Sequence, residues 1–287
     1  METNILITSF FFILGLLIGS FLNAAIYRTE TKKSLRGRSF CPHCKHQLSF
    51  WDLVPIFSYL FLRGRCRYCK KSISPQYPLV ELATGILFAA ISLKFILPTL
   101  LTINNTTYQI PNTLYFILYS LFLLFISAIL VFIFTYDLKH SIIPDKIVVP
   151  AILISLVAIV SLWGLNALSF PQNAIEIAFS AISRAFFGVA AGAGLFFLLV
   201  FVSKGKWMGG GDVKLGILMG LFLGFPNILV ALFFAFLTGA LVGLALIALR
   251  LKKFGQTVPF GPFLVAATFF ALFFGGVIIS LYLSLLI

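Results

Sequence analysis

The stretch "ILITSFFFILGLLIGSFLNAAIYRTETKK", residues 5–33, decides what kind of protein this is. Residues 5–27 run without a charged side chain and are followed at once by Arg28, Lys32 and Lys33. A helix of that length crosses the ~30 Å of hydrocarbon in a bilayer. The positive charge behind it marks the side held in the cytoplasm. The flank ahead, "METN", carries Glu2 and no lysine or arginine, unlike the start of a cleaved signal peptide. The segment therefore reads as an uncleaved anchor with its N-terminus outside.

The rest of the chain repeats that pattern. With 61% hydrophobic and 10% charged residues over 287 positions, the composition excludes a soluble globule. Apolar runs predict eight spans, at 5–27, 79–99, 114–136, 146–164, 182–202, 213–226, 227–249 and 262–286, the sixth being short. Eleven of the twenty-one lysines and arginines fall in 28–78. Lys139, Lys146, Lys204, Lys206, Lys214, Arg250, Lys252 and Lys253 fall in the segments that alternation puts on the same side. The opposite connections, 100–113 and 165–181, contain none. This asymmetry predicts basic loops in the cytoplasm and both termini outside. The net charge of +13 is mainly a topology signal, with lipid headgroup contact second and no nucleic-acid partner expected. No internal repeat is evident.

Segment 28–78 is the one large polar excursion, and it holds all four cysteines. "CPHC" at 41–44 and "CRYC" at 66–69 can converge as Cys41, Cys44, Cys66 and Cys69 on one tetrahedral zinc, or on occasion iron. Two disulfides are the alternative, disfavoured in a reducing cytoplasm. Four thiolates close a structural site, so His43 and His46 read as ordinary loop residues and the metal as scaffold. Between the pairs, Trp51, Phe57 and Tyr59 read as packing residues in the small domain's core or against the membrane surface. Asp52 reads as a cap or as an ion-pair partner of a nearby arginine.

Past residue 81 only Asp137, Asp145, Glu176 and Asp212 are acidic. Glu176 falls in an outer loop and reads as solvated. Asp145 opens a span after Pro144 and reads as a cap. Asp137 ends the third span and Asp212 begins the sixth, so topology brings both to one face at one depth. Two close aspartates share a proton, one activating water while the other polarises a carbonyl. The alternative for each is local: a cap for Asp212, a pairing with Lys139 or His140 for Asp137. In "MGGGDVKLG", Gly209, Gly210 and Gly211 would allow a sharp turn and close substrate approach.

With these blocks in order, the chain resembles the bacterial prepilin peptidases over almost its full length. The blocks are "GSFLNAAIYR" (19–28), the cysteine segment 41–85, "DLKHSIIPD" (137–145), "MGGGDVKLG" (208–216) and "PFGPFLVAA" (259–267). The resemblance implies an all-α integral membrane protein of about eight transmembrane helices, with a cytoplasmic zinc-binding loop after the first. It implies a first helix at 1–27, a zinc domain at 28–78 linked to methyl transfer, and a membrane aspartic protease domain at 79–287. It assigns Asp137 and Asp212 as the catalytic aspartates. The implied substrates are type IV prepilins or pseudopilins, cleaved at the cytoplasmic face of the inner membrane and then N-methylated with S-adenosylmethionine. No Rossmann glycine fingerprint locates the methyl donor. The competing class is a non-enzymatic transporter or assembly factor with a zinc-ribbon loop, which would tolerate Asp→Asn at one of the two sites.

Overall fold

A computed structural model of the chain describes residues 2–34, 36–98, 110–169, 174–253, 256 and 258–286. Its helices are α1 (Glu2–Glu30), α2 (Phe57–Phe61), α3 (Gln76–Ile91), α4 (Ile110–His140), α5 (Asp145–Ser169), α6 (Ala174–Ser203), α7 (Gly210–Leu223), α8 (Asn227–Ala248) and α9 (Gly261–Ser284). The described residues form no extended strand, only the isolated bridges Phe40–Gln47 and Arg65–Ser72. Two compact units result, Met1–Thr106 with Leu123–Phe132 and Thr107–Phe122 with Ile133–Ile287.

Among the described residues, seven helices are long and apolar enough to cross a membrane. The remaining expected span, 213–226, is α7. Its 14 residues rise only ~21 Å, short of the ~30 Å of a hydrocarbon core. Gly224, at φ 66°, ends the helix in a backbone conformation that favours glycine, and Pro226 follows. Leu215, Gly216 and Leu218 through Leu223 are all buried. A helix enclosed on every side is covered by protein, so lipid thickness does not set its length.

In the second unit, α6 and α7 meet along a glycine seam. A Cβ on Gly188 would lie 2.5 Å from the Gly220 carbonyl oxygen, and one on Gly192 2.5 Å from that of Gly216. Spacing of four on both helices puts backbone against backbone, the packing mode favoured where lipid supplies no hydrophobic drive between helices. Asn227 at the start of α8 packs on Gly275, a Cβ there lying 2.7 Å from its Oδ1. Gly275 is about four turns into α9, so the α7–α8 turn sits level with the middle of that helix.

In the first unit α1 and α3 run antiparallel along a similar seam. A Cβ on Gly15 would come 2.6 Å from the Thr84 carbonyl oxygen, and one on Gly19 2.7 Å from Glu81 Cα. The polar loop is fastened to this pair by buried side chains. Arg28 Nη2 donates to the Gly37 carbonyl at 2.7 Å, and Ile56 N–H donates to Glu81 Oε2 at 2.8 Å. Trp51 and Phe57 differ from the core-packing expectation: they are 71% and 56% exposed. Phe50, Leu60 and Phe61 are exposed beside them. The short 3₁₀ turn at Phe50–Leu53 and the five residues of α2 have too little surface to bury these rings.

Candidate active site and metal centre

The last turn of α4 carries Asp137, which is 4% exposed. The helix stops soon after it, where Ser141 takes φ 54° and its N–H donates to the Asp137 carbonyl at 2.8 Å. Asp212 is the third residue of α7, and its N–H donates to the carbonyl of Gly209, which precedes the helix, at 3.2 Å. The two acidic side chains lie close enough for the charge on Asp137 to act on Asp212. Cross-links join the segments that carry them. Lys214 Nζ contacts Asp145 Oδ1 at 2.6 Å, and Gly211 lies against Ile143, which a Cβ would approach to 3.1 Å. Asp145 therefore does more than open α5; it also ties that helix to α7.

A third element completes the site. Gly261, the first residue of α9, lies against the Asp137 carboxylate. A Cβ on Gly261 would stand 2.6 Å from Asp137 Oδ2 and 3.1 Å from Cγ, so any larger residue has to push the carboxylate aside. Gly261 lies in the block "PFGPFLVAA" (259–267), where the sequence assigns it no role of its own; its signal is the Gly-Pro pair at 261–262, a helix start with proline in the first turn. The glycine run behaves differently from the sharp turn expected. Gly209 has φ −85° and Gly210 and Gly211 are helical, so none needs a left-handed backbone. What they supply is space: nothing lies within 4 Å of a Cβ on Gly210, and Gly209 meets only its own chain. Glu176 is exposed, in the first turn of α6. Two carboxyls within electrostatic reach of each other beside an open backbone can act as a general acid and base pair.

The four cysteine sulfurs lie within 4.8 Å of one another. Cys41 Sγ and Cys69 Sγ are 3.9 Å apart, against an edge of about 3.8 Å for a tetrahedron of zinc–thiolate bonds. The residues fit a metal ion. Each pair sits in the same tight hairpin. Cys41 N–H donates to the His46 carbonyl and Lys45 N–H to that of Cys41, both at 2.9 Å. Cys66 and Lys71 repeat the first bond at 2.9 Å, and Lys70 and Cys66 the second at 3.0 Å. Lys45 and Lys70 share φ values of 61° and 60°. The chain thus contains a small structural repeat, legible afterwards as C-x-x-C-K at 41–45 and 66–70 but too short to stand out beforehand.

The thiols do not ionise alike. Against the cost of burial, N–H donors from Cys44 and His43 and neighbouring thiols bring the Cys41 thiol down to about 7. Despite an N–H from Lys71, burial and the other three sulfurs push Cys69 up to about 11. Four thiolates at this spacing repel one another, and a bound cation removes the conflict. The histidines stay outside the cluster; His46 instead stacks on Tyr68 with ring centroids 3.7 Å apart. Asp52 braces the second hairpin. It pairs with Arg67 Nε at 2.7 Å and accepts from the Ser49 hydroxyl at 2.8 Å and from Tyr68 at 3.2 Å.

Comparison with known proteins gives these arrangements a context. Residues 13–95 match the Bacterial Peptidase A24 N-terminal domain, and residues 124–244 match the Type IV leader peptidase family. The chain is similar to a protein named prepilin leader peptidase/N-methyltransferase from Aeromonas hydrophila, 31% identical over 96% of this chain and 93% of that one. Proteins of the same name from Stutzerimonas stutzeri and Pseudomonas aeruginosa are each 30% identical over 95% of this chain and 92% of theirs. No solved structure matches. Matches at this identity run through the cysteine hairpins and both acidic segments, and on that ground the chain belongs to the type IV leader peptidase family.

Proposed function

We propose that this protein cleaves the basic leader from type IV prepilins and pseudopilins at the cytoplasmic face of the inner membrane, then N-methylates the residue it exposes. The observation that carries the first step is that Asp137, packed against Gly261 at the start of α9, lies within electrostatic reach of Asp212. One carboxylate, ionised, takes a proton from water as the oxygen attacks the scissile carbonyl. The other, protonated, donates to the carbonyl oxygen; when the tetrahedral intermediate collapses it takes that proton back, and the first carboxyl passes the proton it took from water to the leaving amine. The substrate backbone lies along Gly209 and Gly210, where no side chain intrudes, with Gly211 backed by Ile143. The prepilin's apolar segment stays among the spans and presents the scissile bond at the interface.

Methyl transfer belongs in this reading to the region that carries the loop 28–78, with S-adenosylmethionine as donor. Cys41, Cys44, Cys66 and Cys69 hold zinc, which fixes the loop without an open coordination position. The basic loops face the cytoplasm and both termini lie outside, in contact with membrane lipid. The test is purified protein incubated with a prepilin and labelled S-adenosylmethionine, both products being followed. A shortened pilin bearing the label supports the reading; an uncut precursor overturns it.

A further inference from the structure

Glu81 is an unusual residue for the place it occupies. It lies within the apolar helix α3 at 7% exposure, and among the described residues no cationic side chain is paired with it. Its partner is the N–H of Ile56 at 2.8 Å, with the hydroxyl of Ser20 nearby. One turn along the α1–α3 seam, Asn23 is 2% exposed and holds the Tyr77 carbonyl through Nδ2 at 3.0 Å. That bond fixes the direction of Asn23 Oδ1, which is buried and has no donor. A carboxyl without a counter-ion and an acceptor without a donor, one turn apart along an apolar seam, are costly unless something supplies positive charge and N–H groups.

The loop meets this carboxylate through a strained residue. Ile56 has φ 61° and ψ −52°, a γ-turn closed by Phe57 N–H on the Pro55 carbonyl at 2.6 Å. Positive φ is rare for a β-branched residue, and such strain gathers where function over-determines the backbone. Glu81 thus sits where α1, α3 and the cysteine-bearing loop come together.

We propose that Glu81 and Asn23 seat the new N-terminal ammonium of the cleaved pilin, and that Glu81 is the base that frees it for methylation. The ammonium is a donor-only cation, the complement of a carboxylate and an amide oxygen. Its proton passes to the Glu81 carboxylate. The nitrogen lone pair then forms the C–N bond to the donor's methyl carbon. The C–S pair stays on sulfur, turning the sulfonium into a neutral thioether, and Glu81 later returns its proton to water. This assignment rests on the methyltransferase reading above.

The test is Glu81→Gln in the full-length protein, assayed on pre-cleaved pilin with labelled S-adenosylmethionine and separately on intact prepilin. Glutamine keeps an oxygen for the Ile56 N–H and removes only the charge. The expected result is a fall in methyl-transfer kcat/KM on the order of 100-fold or more, with cleavage and protease resistance of 28–78 unchanged. Glu81→Asp recovers part of the loss. Asn23→Ala raises KM for pre-cleaved pilin while prepilin cleavage persists; an unchanged KM overturns the part given to Asn23. Methylation by Glu81→Gln at the wild-type rate overturns the base, as does joint loss of both activities with an opened loop, which marks a structural staple. Wild-type protein that cleaves but transfers no methyl group overturns the methyltransferase reading, and the seat with it.

Discussion

The loop between α1 and α3 and the helix ends around Asp137 reach order by opposite means. In the loop, side chains do the holding: four sulfurs, the Asp52–Arg67 pair and Arg28 against the backbone of Gly37. Among the described residues, five of the eight non-glycine residues with positive φ, Lys45, Ile56 and Lys70 among them, lie in 28–78. Around the carboxylates the decisive feature is missing side chain, at Gly261 against Asp137 and along Gly188, Gly192, Gly216 and Gly220. A fifty-residue polar segment cannot bury enough apolar surface to fold alone and needs a staple. A helix in lipid already has its backbone bonds and needs only close approach. The two regions should therefore fail differently.

The sharpest break is at the carboxylates. Asp137→Asn and Asp212→Asn each should lower prepilin cleavage by about 1,000-fold or more, since general acid–base catalysis alone contributes up to about 10⁴. Gel-shift processing in membranes measures it. Methylation of pre-cleaved pilin should survive in Asp212→Asn, and its loss in folded protein would show that the two steps share one site.

Gly261→Ala adds one carbon where 2.6 Å is available beside Asp137 Oδ2. Displacement of a catalytic group by about 1 Å can cost about 100-fold, and cleavage should fall by that order. Full activity in this variant would mean that α9 does not position Asp137.

On the loop side, Cys41→Ser or Cys69→Ser, or removal of metal by a chelator, should release about one zinc per chain. Residues 28–78 should become protease-sensitive, because metal binding supplies the loop's folding free energy. Methyl transfer should drop while cleavage persists. Elemental analysis that finds no metal in fresh, reduced protein removes this prediction.

A smaller effect is expected at Asp52, whose side chain is 3% exposed. Against the cost of its burial, the Ser49 hydroxyl and N–H, Tyr68 and Arg67 hold its carboxyl below the usual range. Asp52→Asn should loosen the loop by about 1–3 kcal/mol, read by amide exchange. A lowered folded pKa stabilises above the unfolded value of about 3.9 and loses that contribution as pH falls through the folded one. The gap between wild type and variant should therefore close below about pH 4.

The smallest change is Asp145→Asn. Its bond to Lys214 joins side chains 63% and 38% exposed, and exposed pairs contribute about 0–1 kcal/mol. Cleavage should change less than about fivefold. A larger loss would give Asp145 a place in the active site itself.

The sequence by itself determined whatever depends on composition and spacing. Uncharged runs long enough for a bilayer, basic residues on alternate connections, and two C-x-x-C pairs carry their physics in the order of residues. Asp137 and Asp212 were legible as a pair because scarce carboxylates at span ends are conspicuous in an apolar chain. Tertiary structure alone decided what depends on which backbones touch. Gly261 is one of twenty-two glycines until its missing Cβ is found against Asp137. The sixth apolar run reads as a short span until Gly224 ends it and its neighbours enclose it. Glu81 is one of eight acidic residues until, among the described residues, no cationic side chain is found paired with it. A periodic pattern records how far a helix reaches and which charges it carries. It does not record the partner across a seam, because close approach is made by atoms that are not there.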